Sequence, residues 1–213
     1  MKSLKSQYIR LEPGFRLYNF DKPIIGLTGG IATGKSTVTK LLEARGLKII
    51  DADALVKSIY QKDETKEFIK TVFSSAWVNN EINFPKLREL VFQDAKVKEI
   101  VETFIYARLP QTFQEASAKI TDQDFYIYDV PLLFERSLDT KVDLKVVVYA
   151  PRNVQLARLI DRDGSKEEIG NKILEAQMDI EEKKEKADFV ISNNGSMTEL
   201  AAEVDQLLLQ ILN

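Results

Sequence analysis

The stretch "GLTGGIATGKSTV", residues 26–38, decides the fold class because it joins an apolar run to a helical pattern. Within it, residues 29–36 fit the pattern G-x-x-x-x-G-K-[ST], whose glycines let successive backbone N–H groups turn toward phosphate oxygens. A helix that begins near Lys35 would add its positive N-terminal end to the same site. Strand, loop and helix together predict a nucleotide phosphate site.

Two side chains of this loop have predicted roles of their own. Lys35 brings a full charge to the β and γ phosphates of a nucleotide, and the Ser36 hydroxyl is a predicted ligand of Mg²⁺. A glycine-rich turn that only packs a helix on a sheet is the alternative, but it gives no reason for lysine and serine to stand together. The predicted nucleotide-binding residues of the loop are Gly29, Gly30, Ile31, Ala32, Thr33, Gly34, Lys35, Ser36 and Thr37.

The rest of the chain alternates short apolar runs with helical patterns, which is typical of an α/β fold. Strands that are apolar on both faces fit a parallel sheet that is covered by helices on both sides. Ligands of such sheets bind at the carboxyl ends of the strands. The predicted strands of this five-stranded sheet are 23–28, 47–50, 125–128, 144–149 and 189–191.

Residues 23–213 are predicted to form a single domain with a helical insertion at about 54–120, where amphipathic periodicity replaces strand signals. A closing helix is predicted near 197–212. Residues 1–22 form an N-terminal extension with no assigned role. Its segment "FRLYNF", residues 15–20, alternates apolar and polar side chains, so an edge strand and a frayed tail both remain open.

The composition excludes several kinds of site. The 213 residues contain neither cysteine nor histidine, so disulfide scaffolds, thiolate or imidazole zinc sites and every Ser-His mechanism are excluded. A net charge of −3 gives no basic face for nucleic acid, and we expect no nucleic-acid partner. No stretch has the length of a signal peptide or a membrane span, so we expect a cytoplasmic protein without a membrane partner.

Residues 140–143, TKVD, match the guanine-reading pattern [NT]-K-x-D. We interpret this match as a coincidence, because a guanine-reading motif follows the carboxyl end of a strand and this one precedes the strand 144–149. Large ATPase machines need a longer chain. A small kinase with a substrate-binding insertion and a lid fits the length.

A kinase needs a base or an orienting group beside the acceptor hydroxyl, and the second predicted strand is followed by Asp51 and Asp53. Because they stand two apart in an extended segment, both carboxylates would face the crevice above the phosphate loop. Alternatively, Asp51 caps the next helix and Asp53 is a solvated residue of its first turn. Asp129 ends the third apolar run, where it is either a helix cap or a ligand that holds Mg²⁺ partly through water.

The helical stretch after the fourth strand carries Arg158 and Arg162, four residues apart and hence on one helix face. Arginines stabilise the charge that a transferring phosphoryl group develops, so both are predicted to contact nucleotide phosphates. A solvated face is the alternative. The later segment "EEKKEKAD", residues 181–188, is predicted to be an exposed helix of paired charges.

Five segments, taken in order, resemble the dephospho-CoA kinase family, and the resemblance extends over residues 23–210. They read GLTGGIATGKSTV, IIDADAL, YDVPLLFE, QLARLIDRDG and AQMDIEEKKEKADFVISNNGS. The resemblance implies a P-loop kinase core, a helical acceptor-binding insertion and a small lid at about 160–185. It also implies transfer of the γ-phosphoryl group of ATP, with Mg²⁺, to the ribose 3′-hydroxyl of dephospho-CoA.

The resemblance also implies roles for single residues. Asp53 matches the family's base, and Arg158 matches an arginine that grips phosphates from the lid side; with Lys35 they form the predicted catalytic set. Asn193 matches a position at which members of the family contact the adenine base of the nucleotide. The segment 131–135 is implied to line the acceptor site, and the implied acceptor-binding residues besides Asp53 are Pro131, Leu132, Leu133 and Phe134. ATP and dephospho-CoA are the implied partners, and the oligomeric state stays open.

The chain departs from the family pattern in the phosphate loop and in the insertion. Ala32 replaces a glycine and Thr33 a serine; we expect Ala32 to keep a negative φ, so that nucleotide binding survives. Ile105 and Tyr106 stand near the position where the family has His-Pro, and "YQKDET" stands where the family has E-P-G. Both departures concern the residues of the insertion that would contact the acceptor. A kinase for another acceptor, such as a nucleoside monophosphate or a sugar acid, and a nucleotide-binding protein without catalysis are the alternatives.

Overall fold

The computed structural model describes residues 1–164 and 166–213. Two compact units make up the chain: a core unit, Met1–Asp51 with Ile120–Asn213, and an insertion unit, Ala52–Lys119. The strands are β1 (Ile24–Gly29), β2 (Ile49–Asp51), β3 (Trp77–Val78), β4 (Glu81–Ile82), β5 (Tyr126–Asp129), β6 (Leu144–Tyr149) and β7 (Phe189–Ser192). The helices are α1 (Lys35–Ala44), α2 (Ala52–Gln61), α3 (Asp63–Val72), α4 (Phe84–Gln93), α5 (Ala95–Tyr106), α6 (Leu109–Ser117), α7 (Arg152–Asp163), α8 (Glu167–Glu175), α9 (Ile180–Glu185) and α10 (Met197–Ile211). Within the described ranges, no helix has both the length and the apolar character that a membrane crossing requires.

The core unit contains a five-stranded parallel sheet in the order β2-β5-β1-β6-β7, which confirms the predicted α/β fold. Every residue of the central strand β1 is buried, which explains why Thr28 is its single polar side chain. Leu27 of this strand lies opposite Asp129 on one side and Val146 on the other. Asp51 is paired in register with Asp129, so the sheet brings both carboxylates to the edge where β1 ends at Gly29.

Helices α1 and α10 supply the apolar side chains that pack against alternate residues of the inner strands. Val38 and Leu42 of α1, four residues apart, join Ile25 and Leu27 of β1 in one cluster. Burying each such side chain stabilises the fold by about 1.5–3 kcal/mol. The buried residues of the cluster are Leu4, Ile25, Leu27, Val38, Leu42, Leu47, Phe125, Ile127, Leu144, Val146, Val148, Ile191, Leu200, Val204, Leu207 and Ile211.

The N-terminal extension is neither an edge strand nor a frayed tail. Its three short 3₁₀ turns are Ser6–Tyr8, Pro13–Phe15 and Leu17–Asn19. The edge-strand alternative for residues 15–20 is therefore wrong, because Tyr18 and Asn19 have φ values of 56° and 59°, which a strand does not accommodate. Leu4 and Leu17 are buried, so the extension contributes to the core of this unit.

One buried ion pair fastens the extension to the start of the sheet. The Arg16 side chain is 3% exposed and its Nε lies 2.8 Å from Oδ2 of Asp143, whose side chain is 0% exposed. The same Oδ2 accepts a hydrogen bond from the backbone N–H of Ile24 at 2.9 Å. Asp143 ends the sequence TKVD, residues 140–143, so burial of this carboxylate agrees with the interpretation of the match as a coincidence.

The insertion unit is mainly helical, and it also contains the β3–β4 hairpin, which the sequence analysis missed. Asn79 and Asn80 have φ values of 53° and 65°, the pair of left-handed residues that a tight two-residue hairpin turn requires. The sequence Asn-Asn between two short β-rich runs is the signal that could have found it. The unit has its own buried apolar cluster, which consists of Ile59, Ile69, Phe73, Ala76, Leu87, Val101 and Ile105.

Candidate active site

The phosphate loop runs from the end of β1 to the start of α1. Gly34, just before the helix, has a φ of 88°, and a Cβ atom there would collide with the side-chain nitrogen of Asn193. At Gly29 a Cβ atom would lie 2.8 Å from the carbonyl oxygen of Val148, so only glycine allows this approach of loop and sheet. Thr33 is fully buried and its Oγ1 donates to the Gly30 carbonyl oxygen at 2.9 Å, which holds the turn closed.

Ala32 contradicts the expected backbone conformation. Its φ is 60°, in the left-handed region, whereas we expected a negative value. An alanine in this region costs roughly 1–2 kcal/mol relative to the right-handed region because its Cβ approaches the following carbonyl oxygen. This cost explains why the family usually has glycine at this position. In this chain, the phosphate loop contains a strained alanine instead.

Lys35 and Asp129 are brought together beneath the loop. The Lys35 ammonium group forms an ion pair with Oδ1 of Asp129, and Thr39 Oγ1 donates to Oδ2 at 3.0 Å. Burial raises the pKa of the Asp129 carboxyl; the ion pair and the Thr39 hydrogen bond oppose this rise, and the charge of Asp51 adds to it. Thr39 was not predicted from the sequence, although it lies four residues after Lys35 on the same helix face.

The predicted Mg²⁺ ligands offer the type of donor that this ion prefers. Ser36 is exposed in the first turn of α1, and its hydroxyl and the Asp129 carboxylate are both hard oxygen donors. Across residues 1–164 and 166–213 no group of three or more acidic residues could hold a metal by itself. Mg²⁺ bound with nucleotides uses one or two carboxylates together with phosphate oxygens and water, so these residues fit that ion.

Arg158 and Asn193 meet the phosphate loop from α7 and from the end of β7. Arg158 donates to the Asn193 carbonyl oxygen at 2.9 Å and to the Ala32 carbonyl oxygen at 3.5 Å. The side-chain nitrogen of Asn193 donates to the Thr33 carbonyl oxygen at 2.7 Å, and this residue is 8% exposed. The structure thus gives Asn193 a role in fixing the loop, whereas its contact with adenine stays a prediction.

Arg162 differs from Arg158 although both belong to α7. Its side chain is 63% exposed and forms two hydrogen bonds to the neighbouring Asp163, at 2.7 and 2.9 Å. Helix α7 ends at Asp163, and the next residue, Gly164, has a φ of 62°, which suits a helix C-terminus. A contact between Arg162 and nucleotide phosphates therefore stays a prediction.

The predicted acceptor-binding segment follows β5. Leu133 and Phe134 are buried among core side chains, whereas Pro131 and Leu132 are half-buried. The Pro131 carbonyl oxygen accepts a hydrogen bond from Thr28 Oγ1 at 3.0 Å, which fixes the segment beside β1. Contact of all four residues with an acceptor stays a prediction, and Pro131 and Leu132 are the two with accessible surface.

Asp53 lies in the insertion unit, on the first turn of α2, and is exposed. Asp51 and Asp53 do not share one extended segment, because β2 ends at Asp51 and the helix begins at the next residue; the prediction that they point the same way is therefore wrong. The capping alternative for Asp129 does not fit either, since its carboxylate binds Lys35 and Thr39.

Lys183 is a residue of this region that the sequence analysis missed. The segment 181–188 was predicted to be an exposed charged helix, but the Lys183 side chain is 0% exposed and lies 2.8 Å from Oε1 of Glu135. A lysine inside a run of charges gives no local signal of burial. Only its distance of three residues from the buried Ile180, one helical turn, points to the inner face of α9.

This combination of a parallel α/β sheet, a glycine-rich loop before a helix, and a lysine paired with an acid at a strand end defines a P-loop kinase. A family model described as Dephospho-CoA kinase matches residues 23–199. The chain belongs to the dephospho-CoA kinase family. The matched range begins after the N-terminal extension, which is therefore outside the family pattern.

Curated relatives and solved structures agree with this assignment. A dephospho-CoA kinase of Fusobacterium nucleatum is 40% identical over 185 residues, which cover 86% of this chain and 95% of the relative. One of Arabidopsis thaliana is 33% identical, with 88% of this chain and 83% of the relative covered. The crystal structure of TT1252 from Thermus thermophilus matches with a TM-score of 0.79 at 29% identity, over 89% of this chain and 97% of that one. Dephospho-CoA kinase from Campylobacter jejuni matches with a TM-score of 0.63 at 28% identity, over 88% and 96%.

Proposed function

We propose that this enzyme carries out the family's reaction, transferring the γ-phosphoryl group of ATP to the ribose 3′-hydroxyl of dephospho-CoA and releasing CoA and ADP. The pairing of Lys35 with Asp129 beneath the phosphate loop is the observation that carries the proposal. It supports a site in which a cation and an acid meet the triphosphate of a nucleotide at the carboxyl edge of the sheet. Because ATP is an intracellular nucleotide, we place the reaction in the cytoplasm.

In the proposed mechanism Asp53 accepts the proton of the 3′-hydroxyl as its oxygen attacks the γ-phosphorus. The bond between that phosphorus and the bridging oxygen breaks, and ADP takes up the negative charge. Lys35 and Arg158 neutralise the charge that spreads over the equatorial oxygens in the transition state. Mg²⁺, with Ser36 and Asp129 as its protein ligands, would supply further charge neutralisation at the phosphates.

The acceptor is tested by measuring ADP release by the purified protein with ATP and Mg²⁺. We expect release to depend on dephospho-CoA and the product to have the mass of CoA. AMP and gluconate serve as control acceptors, and a reaction without acceptor gives the background. Release that depends on AMP or gluconate, with none for dephospho-CoA, would contradict the proposal and favour the alternative acceptor class.

The role of Asp53 is tested with Asp53→Asn, which keeps the shape and removes the base. We expect kcat to fall by about 10²–10⁴-fold, while the Kd for ATP changes by less than about threefold. Asp63→Asn is the matched control, because Asp63 is a fully exposed acid in the first turn of the next helix, α3. Equal kcat values for the two variants would remove Asp53 from the role of base.

A further inference from the structure

The ammonium group of Lys183 is completely buried in the core unit and contacts three oxygen atoms. It lies 2.8 Å from Oε1 of Glu135, and it donates to the carbonyl oxygens of Pro131 at 3.1 Å and of Gly29 at 3.5 Å. An ammonium group has three N–H donors; two hydrogen bonds run to these carbonyl oxygens, and Glu135 pairs the charge. Burial of a charged group is costly unless it is paired and hydrogen-bonded, and both conditions are met here.

The three oxygen atoms belong to two segments, and the proposed reaction requires a fixed position of one segment relative to the other. Gly29 is the first residue of the phosphate loop, whereas Pro131 and Glu135 delimit the predicted acceptor-binding segment. Oε1 of Glu135 also accepts a hydrogen bond from the backbone N–H of Met178 at 3.2 Å. Oε2 is buried and, within the described part of the chain, has no hydrogen-bond partner, so Lys183 is the ion-pair partner that offsets the charge of this carboxylate.

We infer that Lys183 is a positioning residue, which fixes the acceptor segment 131–135 relative to the phosphate loop. The inference rests on the proposed function, because it assumes that this segment holds the acceptor. Phosphoryl transfer requires the attacking oxygen in line with the γ-phosphorus at about 3–3.5 Å. An ammonium group that joins both segments removes their relative freedom before the substrates bind.

The decisive variant is the double substitution Lys183→Met with Glu135→Gln. It removes the charge of the buried ammonium group and that of its partly buried partner together, so the connection is lost without leaving an unpaired carboxylate, and we expect a smaller loss of stability than when one partner alone is removed. The single variant Lys183→Met leaves Glu135 unpaired and shows how much the fold depends on the pair. Lys184→Met is the matched control, because Lys184 is the next residue of the same helix and is 46% exposed.

Two measurements test the inference. Hydrogen exchange of backbone amides in residues 132–137 should accelerate by at least about tenfold in the double variant and stay at the wild-type rate in Lys184→Met. With saturating ATP and dephospho-CoA, kcat of the double variant should fall by about 10–100-fold, while the Kd for ATP changes by less than about threefold.

The outcomes separate this inference from the proposed function. A double variant with wild-type exchange rates, or one with wild-type kcat, would overturn the positioning role and leave Lys183 as a purely structural residue. A wild-type protein that releases no ADP with dephospho-CoA would refute the proposed acceptor instead. In that case the hydrogen-exchange rates still test whether Lys183 fixes the segment 131–135 relative to the phosphate loop, because this measurement requires no acceptor.

Discussion

Asp143 is the residue whose replacement should destabilise the core unit most clearly. Its Oδ1 accepts hydrogen bonds from the backbone N–H groups of Arg10 and Leu11, both at 2.9 Å, and from Nη2 of Arg16 at 3.2 Å. Its Oδ2 accepts from Nε of Arg16 at 2.8 Å and from the N–H of Ile24 at 2.9 Å. One buried carboxylate thus satisfies donors from the extension and from the first residue of β1.

The substitution Asp143→Asn keeps the size of the side chain and replaces one acceptor oxygen by an NH₂ group. Either orientation of the amide turns this group toward at least two of the donors that bind the carboxylate. Each buried donor left without an acceptor costs about 1–3 kcal/mol, and breaking a buried ion pair costs about 3–5 kcal/mol. We expect the free energy of unfolding to fall by about 3–5 kcal/mol, a large part of the total stability of a domain.

Urea unfolding followed by far-ultraviolet circular dichroism measures this change. The fluorescence of Trp77, the single tryptophan, would report on the insertion unit instead. With an m-value of about 2 kcal/mol/M, the midpoint should fall by about 2 M, and Asp124→Asn, at an exposed acid, should leave it unchanged. A shift below about 0.5 M for Asp143→Asn would refute the reasoning from buried hydrogen bonds.

The same substitution predicts a pH dependence. Burial acts to raise the pKa of Asp143, but hydrogen bonds from Arg16 and from the N–H groups of Ile24 and Leu11 outweigh it, so the pKa lies below its ordinary value. A carboxyl with a lowered pKa in the folded state stabilises the fold above its unfolded pKa of about 3.9 and loses this contribution as the pH falls through the folded value. The stability difference between wild type and Asp143→Asn should therefore be constant above about pH 5 and shrink below about pH 4.

Two further substitutions test the phosphate loop. Ala32→Gly should raise the free energy of unfolding by about 1 kcal/mol, because glycine adopts the positive φ of this position without the Cβ clash; an unchanged or lower urea midpoint would contradict the strain. Asn193→Ala should raise the Kd values for ATP and for GTP by the same factor, about 5–10-fold, because the Thr33 carbonyl oxygen loses its donor. A loss confined to ATP would show that Asn193 reads adenine instead.

The sheet and the phosphate loop were predictable because their signals are local. An apolar run of five or six residues, a glycine-rich turn and a helical period all lie within one short window of sequence. The boundary after β2 shows the limit of this approach. Helix α2 begins at Ala52, immediately after the strand and two residues before the predicted start of the helical insertion. Asp53 therefore lies on a helix, and the prediction that it points the same way as Asp51 fails.

The buried charges were not predictable, because their partners are distant in sequence. Arg16 pairs with Asp143 over 127 positions, and Lys183 bonds to Pro131 over 52. A charged residue with a distant partner has the same local composition as a solvated one, which is why the segment 181–188 resembled an exposed helix. The φ of Ala32 is likewise set by the path that the loop takes around the phosphate site, which no single residue determines.

The buried cations Arg16 and Lys183 explain how irregular segments are held beside a regular sheet. Apolar packing is non-directional, so it can bury the extension or the segment after β5 without fixing where each backbone group lies. Charged hydrogen bonds are directional and shorter, and they fix a donor against a particular acceptor. Arg16 uses this property on the extension, and Lys183 on the segment 131–135. It follows that replacing Lys183 together with Glu135 by apolar or neutral residues preserves the fold and still loosens the site, which separates stability from catalytic geometry.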